Sequence, residues 1–219
     1  MTSPGFTTAL DLAAGALLLL AVLIVWRRGL RGMVTLLGVQ GAALGLIPIL
    51  TGAHTGDVLL IGVGAGLLVL RALVIPGLLV RLLAGDMPPR ETAPSVNTTA
   101  SLLAAALLTI LAFAASRSLV ALEPTAAVRA APMGLAVVLL GIFVLVTRRR
   151  ALSQVVGFLL CDNGITAVAF LLTAGVPLVV ELGASLDVLL AVIVLQILGG
   201  RMRVKFGGTH LDELRELHE

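Results

Sequence analysis

The sequence is poor in charge, in aromatic side chains and in cysteine. Only 12% of its 219 residues are charged, 3% are aromatic and tyrosine is absent; a typical soluble domain has about 25% charged residues. The single cysteine, Cys161, allows neither an internal disulfide nor a cysteine-ligated iron–sulfur cluster. The three histidines, His54, His210 and His218, have no metal-ligand spacing. The sequence therefore contains no recognisable metal site.

Apolar residues are abundant instead, and they occur in long runs. They make up 59% of the chain, and several runs approach 20 residues, long enough for a hydrocarbon core of about 30 Å. This pattern predicts an all-α, polytopic transmembrane helix bundle. We predict seven spans, at residues 7–26, 30–50, 58–83, 98–120, 133–147, 151–174 and 177–198.

Polar stretches divide these spans into modules. Residues 85–97 form a polar linker with three prolines and separate a three-span module, residues 1–84, from a four-span module, residues 98–206. Residues 207–219 form a polar cytoplasmic tail. Leucines recur there at helical spacing, which fits either a short amphipathic helix or a disordered tail.

The basic residues indicate an orientation rather than a nucleic-acid partner. With the N-terminus outside and the C-terminus inside, twelve lysines and arginines fall on the inner side and only Arg117 and Arg129 on the outer side. Such an excess of inner positive charge is typical of membrane proteins. The net charge of +3 is thus explained by residues at span ends.

A few charges fall inside the predicted spans, where a lone charge costs at least ~2.5 kcal/mol. Arg71 lies about a dozen residues from either end of its span, too deep to reach an interface easily, so we expect it to have a buried partner. Pro76, one turn later, permits a kink. Asp162 lies midway along the sixth predicted span and Asp187 along the seventh.

Two interpretations of the carboxylates are open. Asp162, with Asn163 beside it and Thr166 on the same face, is either a protonatable functional site or an inter-helix hydrogen bond that fixes packing. Glu181 follows Pro177 in the first turn of its span, where a carboxylate complements the helix dipole, so capping is the simpler reading of that residue.

Three segments around these charges resemble one family, the membrane component E of hydrogenase 4. They are residues 66–76, GLLVLRALVIP; residues 157–165, GFLLCDNGI; and residues 171–183, LLTAGVPLVVELG, followed by Asp187. The ending DELREL, residues 212–217, fits as well. Residues 133–206 are also similar to the three-span K-type subunit of complex I and the C subunit of Mrp antiporters. Asp162 departs from that pattern, since it stands three residues later than the usual glutamate and is shorter.

The resemblance implies a membrane subunit of a formate-hydrogenlyase or group 4 [NiFe] hydrogenase type of complex in a prokaryotic inner membrane. The chain would have no catalytic residue and bind no cofactor. Asp162, Asp187, Arg71 and Glu181 would help form a proton or sodium relay beside antiporter-like subunits, while cytoplasmic redox subunits carry out electron transfer. Two other functions stay open: a purely structural assembly subunit, and a stand-alone transporter of small solutes.

Overall fold

A computed structural model describes residues 4–83, 97–149 and 151–173 of the chain. The described residues are 92% helical and include no strand. The elements, in order, are α1 (Pro4–Trp26), α2 (Leu30–Thr55), α3 (Val58–Val69), a π-helical segment (Leu70–Val74), α4 (Ile75–Leu83), α5 (Thr98–Ala115), α6 (Arg117–Leu122), α7 (Ala126–Thr147) and α8 (Ala151–Thr173).

Six helical stretches in the described residues are long and apolar enough to cross a membrane. They are Pro4–Trp26, Leu30–Thr55, Val58–Arg81, Thr98–Leu122, Ala126–Thr147 and Leu152–Leu172, numbered below as the first to sixth spans. The all-helical, multi-span class is therefore confirmed. The seventh predicted span, most of the predicted linker and the tail lie outside the described residues.

The second span is longer than the sequence suggested. Residues 51–57 were expected to form a polar loop, but α2 continues to Thr55 and turns at Gly56, whose φ is 74°. The helix tolerates its threonines because the Thr51 hydroxyl donates to Ile47 O at 2.9 Å and the Thr55 hydroxyl donates to Thr51 O at 3.0 Å. The expectation of a loop at 51–55 was wrong.

The fifth span begins earlier than predicted. The sequence placed Arg129 and Pro132 in a loop before residue 133, whereas α7 starts at Ala126 and contains both residues. Thr125 caps the helix by accepting a hydrogen bond from the Val128 N–H at 3.2 Å. Proline inside a membrane helix is tolerated because neighbouring groups satisfy the freed backbone. The fifth span is therefore 22 residues long.

Close backbone packing defines the bundle. The most extensive helix contacts are those of α7 with α8 and of α2 with the third span, while α1 packs on α2 and α7, and α2 also packs on α8. Glycines permit these contacts: a Cβ on Gly41 would lie 2.6 Å from the carbonyl carbon of Arg71, and one on Gly164 would lie 2.5 Å from the Val138 nitrogen. Small residues serve this purpose at membrane helix interfaces.

The glycines of the third span differ in their surroundings. A Cβ on Gly62 or Gly66 would have open space around it. Gly64, which lies between them on another face of α3, approaches Gly45 instead, with its Cβ position 2.8 Å from the Gly45 carbonyl oxygen. Among these glycines, Gly64 therefore makes the close contact with α2.

The third span contains a local irregularity next to its proline. The Ile75 N–H bonds to Leu70 O, five residues back, and the π-helical segment carries Arg71. Proline lacks an N–H and its ring conflicts with the carbonyl four residues earlier. The wider π turn directly precedes Pro76 and changes the direction of the residues within it, so this irregularity helps to aim the Arg71 side chain.

Candidate functional site

Arg71 is buried between the second, third and sixth spans. Its residue surface is 4% exposed although it lies near the middle of a membrane-spanning helix. Its Nη1 lies 2.6 Å from Oδ2 of Asp162 on α8. The expected buried partner of Arg71 is therefore confirmed, and it is a carboxylate of the same chain.

Two polar side chains on α8 also contact the guanidinium. Nη1 of Arg71 donates to Oδ1 of Asn163 at 2.5 Å, and Nη2 donates to Oγ1 of Thr166 at 3.0 Å. Asn163 and Thr166 are themselves buried. Because the guanidinium is a flat fork of donors, these three partners on one helix fix its orientation.

The hydrogen bonds continue through two further spans. The Asn163 amide donates to Oε1 of Gln40 on α2 at 3.1 Å, and the Gln40 amide donates to the Leu17 carbonyl on α1 at 3.0 Å. Gln40 is completely buried. We call Gln40, Arg71, Asp162, Asn163 and Thr166 the mid-membrane polar cluster. It links the first, second, third and sixth spans at similar depth.

Side chains, rather than backbone packing, connect the third and sixth spans. Helices α3 and α4 are not among the elements that pack closely on α8, whereas α2 contacts both the third span and α8. The long Arg71 side chain crosses this separation to reach Asp162.

Asp162 is less enclosed than its partner. Its side chain is 16% exposed, against 3% for Arg71. Within the described residues, its Oδ2 faces Arg71 as an ion pair without an aligned hydrogen bond. On the outer side of α8, Phe158 and Ile165 are half-exposed on either side of Asp162. Among the described residues, this carboxylate therefore lies at the edge of the polar cluster.

The sequence identified part of this cluster. It identified Arg71 and Asp162 as buried charges, which form an ion pair in the structure, and it placed Thr166 on the same helix face as Asp162. Glu181 and Asp187 lie outside the described residues, so their places in the site stay predictions. Gln40 received no role from the sequence, although a lone amide in the middle of an apolar span was a usable signal.

The described helices and their cluster define a multi-span membrane protein with a buried intramembrane ion pair. No family model matches the chain, and no solved structure matches it. The chain is similar to a Mycobacterium tuberculosis (strain ATCC 25618 / H37Rv) protein, Uncharacterized protein Rv0085. The two are 54% identical over 220 residues, which cover 100% of each. The chain belongs to the same family as Rv0085.

Proposed function

We propose that this chain is a membrane subunit of a hydrogenase-4-like or complex I-like oxidoreductase and that its polar cluster is part of a proton or sodium relay. The observation that carries the proposal is the ion pair between Arg71 and Asp162, near the middle of the third and sixth spans. Burying two charges there is expensive, and ion pathways are a common reason for such residues.

The geometry supports a simple exchange at Asp162. A proton reaching its carboxylate would neutralise it and remove the counter-charge of Arg71. The hydrogen bonds from Arg71 to Asn163 and Thr166 would keep the guanidinium in place meanwhile. Loss of the proton would restore the ion pair. Asp162 is partly exposed, so a polar group of a neighbouring subunit could deliver the ion to it.

The proposal includes a seventh span and an inside C-terminus. Only residues 174–176 separate the end of α8 from the apolar run 177–198, and such short connections join antiparallel neighbours. Asp162 lies 11 residues before Thr173, or about 16 Å at helical rise, and Asp187 lies 10 residues after Pro177, or about 15 Å. Asp187 would then be level with Asp162.

The proposed partners follow from the same relay. Antiporter-like membrane subunits would continue the buried charges laterally, and cytoplasmic redox subunits would supply the electron transfer. The test begins with extraction of the tagged chain from its own membrane in mild detergent and mass spectrometry of the proteins that accompany it. Recovery of such subunits is expected. Recovery of the chain alone would contradict membership of a complex and favour a stand-alone transporter.

Asp162→Asn in that complex then tests the relay. The amide keeps the size of the side chain but cannot carry the negative charge, so ion translocation should fall at least tenfold while electron transfer by the redox subunits is largely kept. Asp162→Glu is the matched control and should retain part of the translocation. Unchanged ion pumping in Asp162→Asn would reject the relay.

A structural role is the second candidate, and the hydrogen-bonded state of the cluster favours it. The cluster ties four spans together through Gln40, Arg71 and Asn163, as a purely architectural contact would. In that case Asp162→Asn should lower the yield of assembled complex, while every complex that does assemble should couple normally. Coupling per assembled complex therefore separates the two functions.

A further inference from the structure

One end of the bundle carries an exposed group of arginines. Arg27, Arg28 and Arg31 all lie on the surface around the short connection between α1 and α2. The end of α4, the start of α5 and residues 148–149 lie at the same end, because consecutive spans alternate in direction. We call this the arginine end. Among the described residues, no aspartate or glutamate lies at this end.

Contacts with other spans hold this connection in place. Arg148, which is buried after α7, donates from Nη2 to the carbonyls of Val25 and Arg27 at 3.0 and 2.9 Å. These bonds satisfy carbonyls at the end of α1 that have no partner within the helix. Arg28 donates from Nε to Thr98 Oγ1 at 3.1 Å. The arginines therefore project from an anchored backbone rather than from a loose loop.

An apolar stripe rises directly from the arginines along α1. Trp26, Leu19 and Leu12 are 49%, 60% and 68% exposed. They are spaced by seven residues, which places them on one face of the helix with a drift of only about 20° per step. The Arg27 guanidinium lies 5.6 Å from the centre of the Trp26 ring. Tryptophan is typical of the boundary between lipid headgroups and hydrocarbon.

We propose that the arginine end binds the phosphate headgroup of an anionic phospholipid, with Arg28 and Arg31 as the principal cationic groups. Trp26 and Leu19 would lie along the acyl chain of the same lipid. The combination of fixed cations and an adjoining apolar stripe matches an amphipathic anion better than a soluble one, because free phosphate would gain nothing from the stripe. Basic sites beside membrane helices bind anionic lipids in this way.

The site does not depend on the proposed relay. The orientation given under Proposed function would place this site in the inner leaflet. Lipid binding by the purified chain does not depend on that orientation. A chain that binds the lipid and shows no role in ion coupling would uphold this site and reject the relay. A chain that takes part in ion coupling but does not bind the lipid would uphold the relay and reject this site.

The experiment is native mass spectrometry of the full chain in detergent, titrated with phosphatidylglycerol or with phosphatidylcholine. Phosphatidylglycerol should bind at least tenfold more tightly. The double variant Arg28→Gln with Arg31→Gln should bind it about 30-fold more weakly, since each basic group near an anionic surface contributes about 1 kcal/mol and 1.4 kcal/mol corresponds to tenfold. Arg117→Gln, an exposed arginine at the other end, is the matched control and should bind normally.

Further variants and competitors keep the result interpretable. Arg28→Lys with Arg31→Lys should restore most of the binding, which separates loss of charge from loss of fold. Equal binding of both lipids, or equal loss in Arg117→Gln, would overturn the proposal. Displacement of the lipid by millimolar inorganic phosphate would instead identify a site for free anions. An acidic polypeptide that competes at equal concentration would identify a protein surface.

Discussion

At the scale of single residues, the mid-membrane polar cluster shows why a charge can be placed in an apolar helix. Arg71 has a carboxylate, an amide and a hydroxyl of α8 as partners. A lone buried charge would be costly, whereas a paired and hydrogen-bonded one is tolerated. Pairing alone adds little stability relative to an apolar core, because desolvation offsets the attraction. The penalty appears when one partner is removed.

Arg71→Met should therefore lower the free energy of unfolding by about 3–5 kcal/mol, because it leaves Asp162 buried without its counter-charge. The measurement is unfolding of the purified chain in mixed micelles of increasing denaturing detergent. Combining Arg71→Met with Asp162→Leu should recover most of that loss. Arg117→Met, at an exposed position, should change little. A double variant as unstable as the single one would show that the ion pair itself stabilises the fold.

The sequence could predict that Arg71 needs a partner but not which one. Asp162, Asp187 and Glu181 all belong to apolar runs, and depth along a helix says nothing about which helices are neighbours. The contact with Asp162 depends on α2, whose glycines bring the third span close on one side while Asn163 bonds to Gln40 on another. These contacts join residues far apart in sequence.

At the scale of helices, close glycine contacts determine how the spans meet. Gly41 on α2 lies against the backbone of Arg71, and Gly164 on α8 lies against α7. Each of these two helix contacts, α2 with the third span and α7 with α8, positions a helix that carries a residue of the polar cluster. A shift of either contact by an ångström would therefore move Arg71 or Asp162, and the donor–acceptor distances of the cluster with them.

Gly41→Ala should destabilise the chain by about 1–3 kcal/mol, because the added methyl would overlap the Arg71 carbonyl and force the helices apart. Gly66→Ala is the matched control, since nothing lies within 4 Å of its Cβ position. Alanine is the better helix former, so the control should be neutral or up to about 1 kcal/mol more stable. Both values come from the same unfolding titration. Equal effects would refute the packing of α2 on the third span.

Helix ends were the least predictable feature at this scale. Residues 51–55 were expected to form a loop because they are polar, yet the hydroxyls of Thr51 and Thr55 bond to carbonyls one turn earlier. Pro132 was taken to precede a helix, yet it lies inside α7. In both cases the residue types suggested a loop, but they did not show that the backbone hydrogen bonds are satisfied within a helix.

At the scale of the whole molecule, the polar cluster and the arginine end occupy separate places on one scaffold. Helix α1 belongs to both, because its Leu17 carbonyl accepts from Gln40 and its C-terminal carbonyls accept from Arg148. The apolar class was predictable because membrane spans are recognised by length and hydropathy alone. The order in which spans pack was not, since every span presents similar apolar residues to its neighbours.

The span count and orientation lead to a direct test. With an outside N-terminus, alkaline phosphatase fused after Gly56 or Pro124 should be active, and the same fusion after Arg149 should be inactive. Green fluorescent protein fused after Glu219 should fluoresce if residues 177–198 form a seventh span, because the arginine excess then faces inward. A dark fusion there, with active phosphatase at the same position, would establish six spans and remove Asp187 from the depth of Asp162. Opposite results at all sites would reverse the orientation and place the arginine end, with its lipid site, in the outer leaflet.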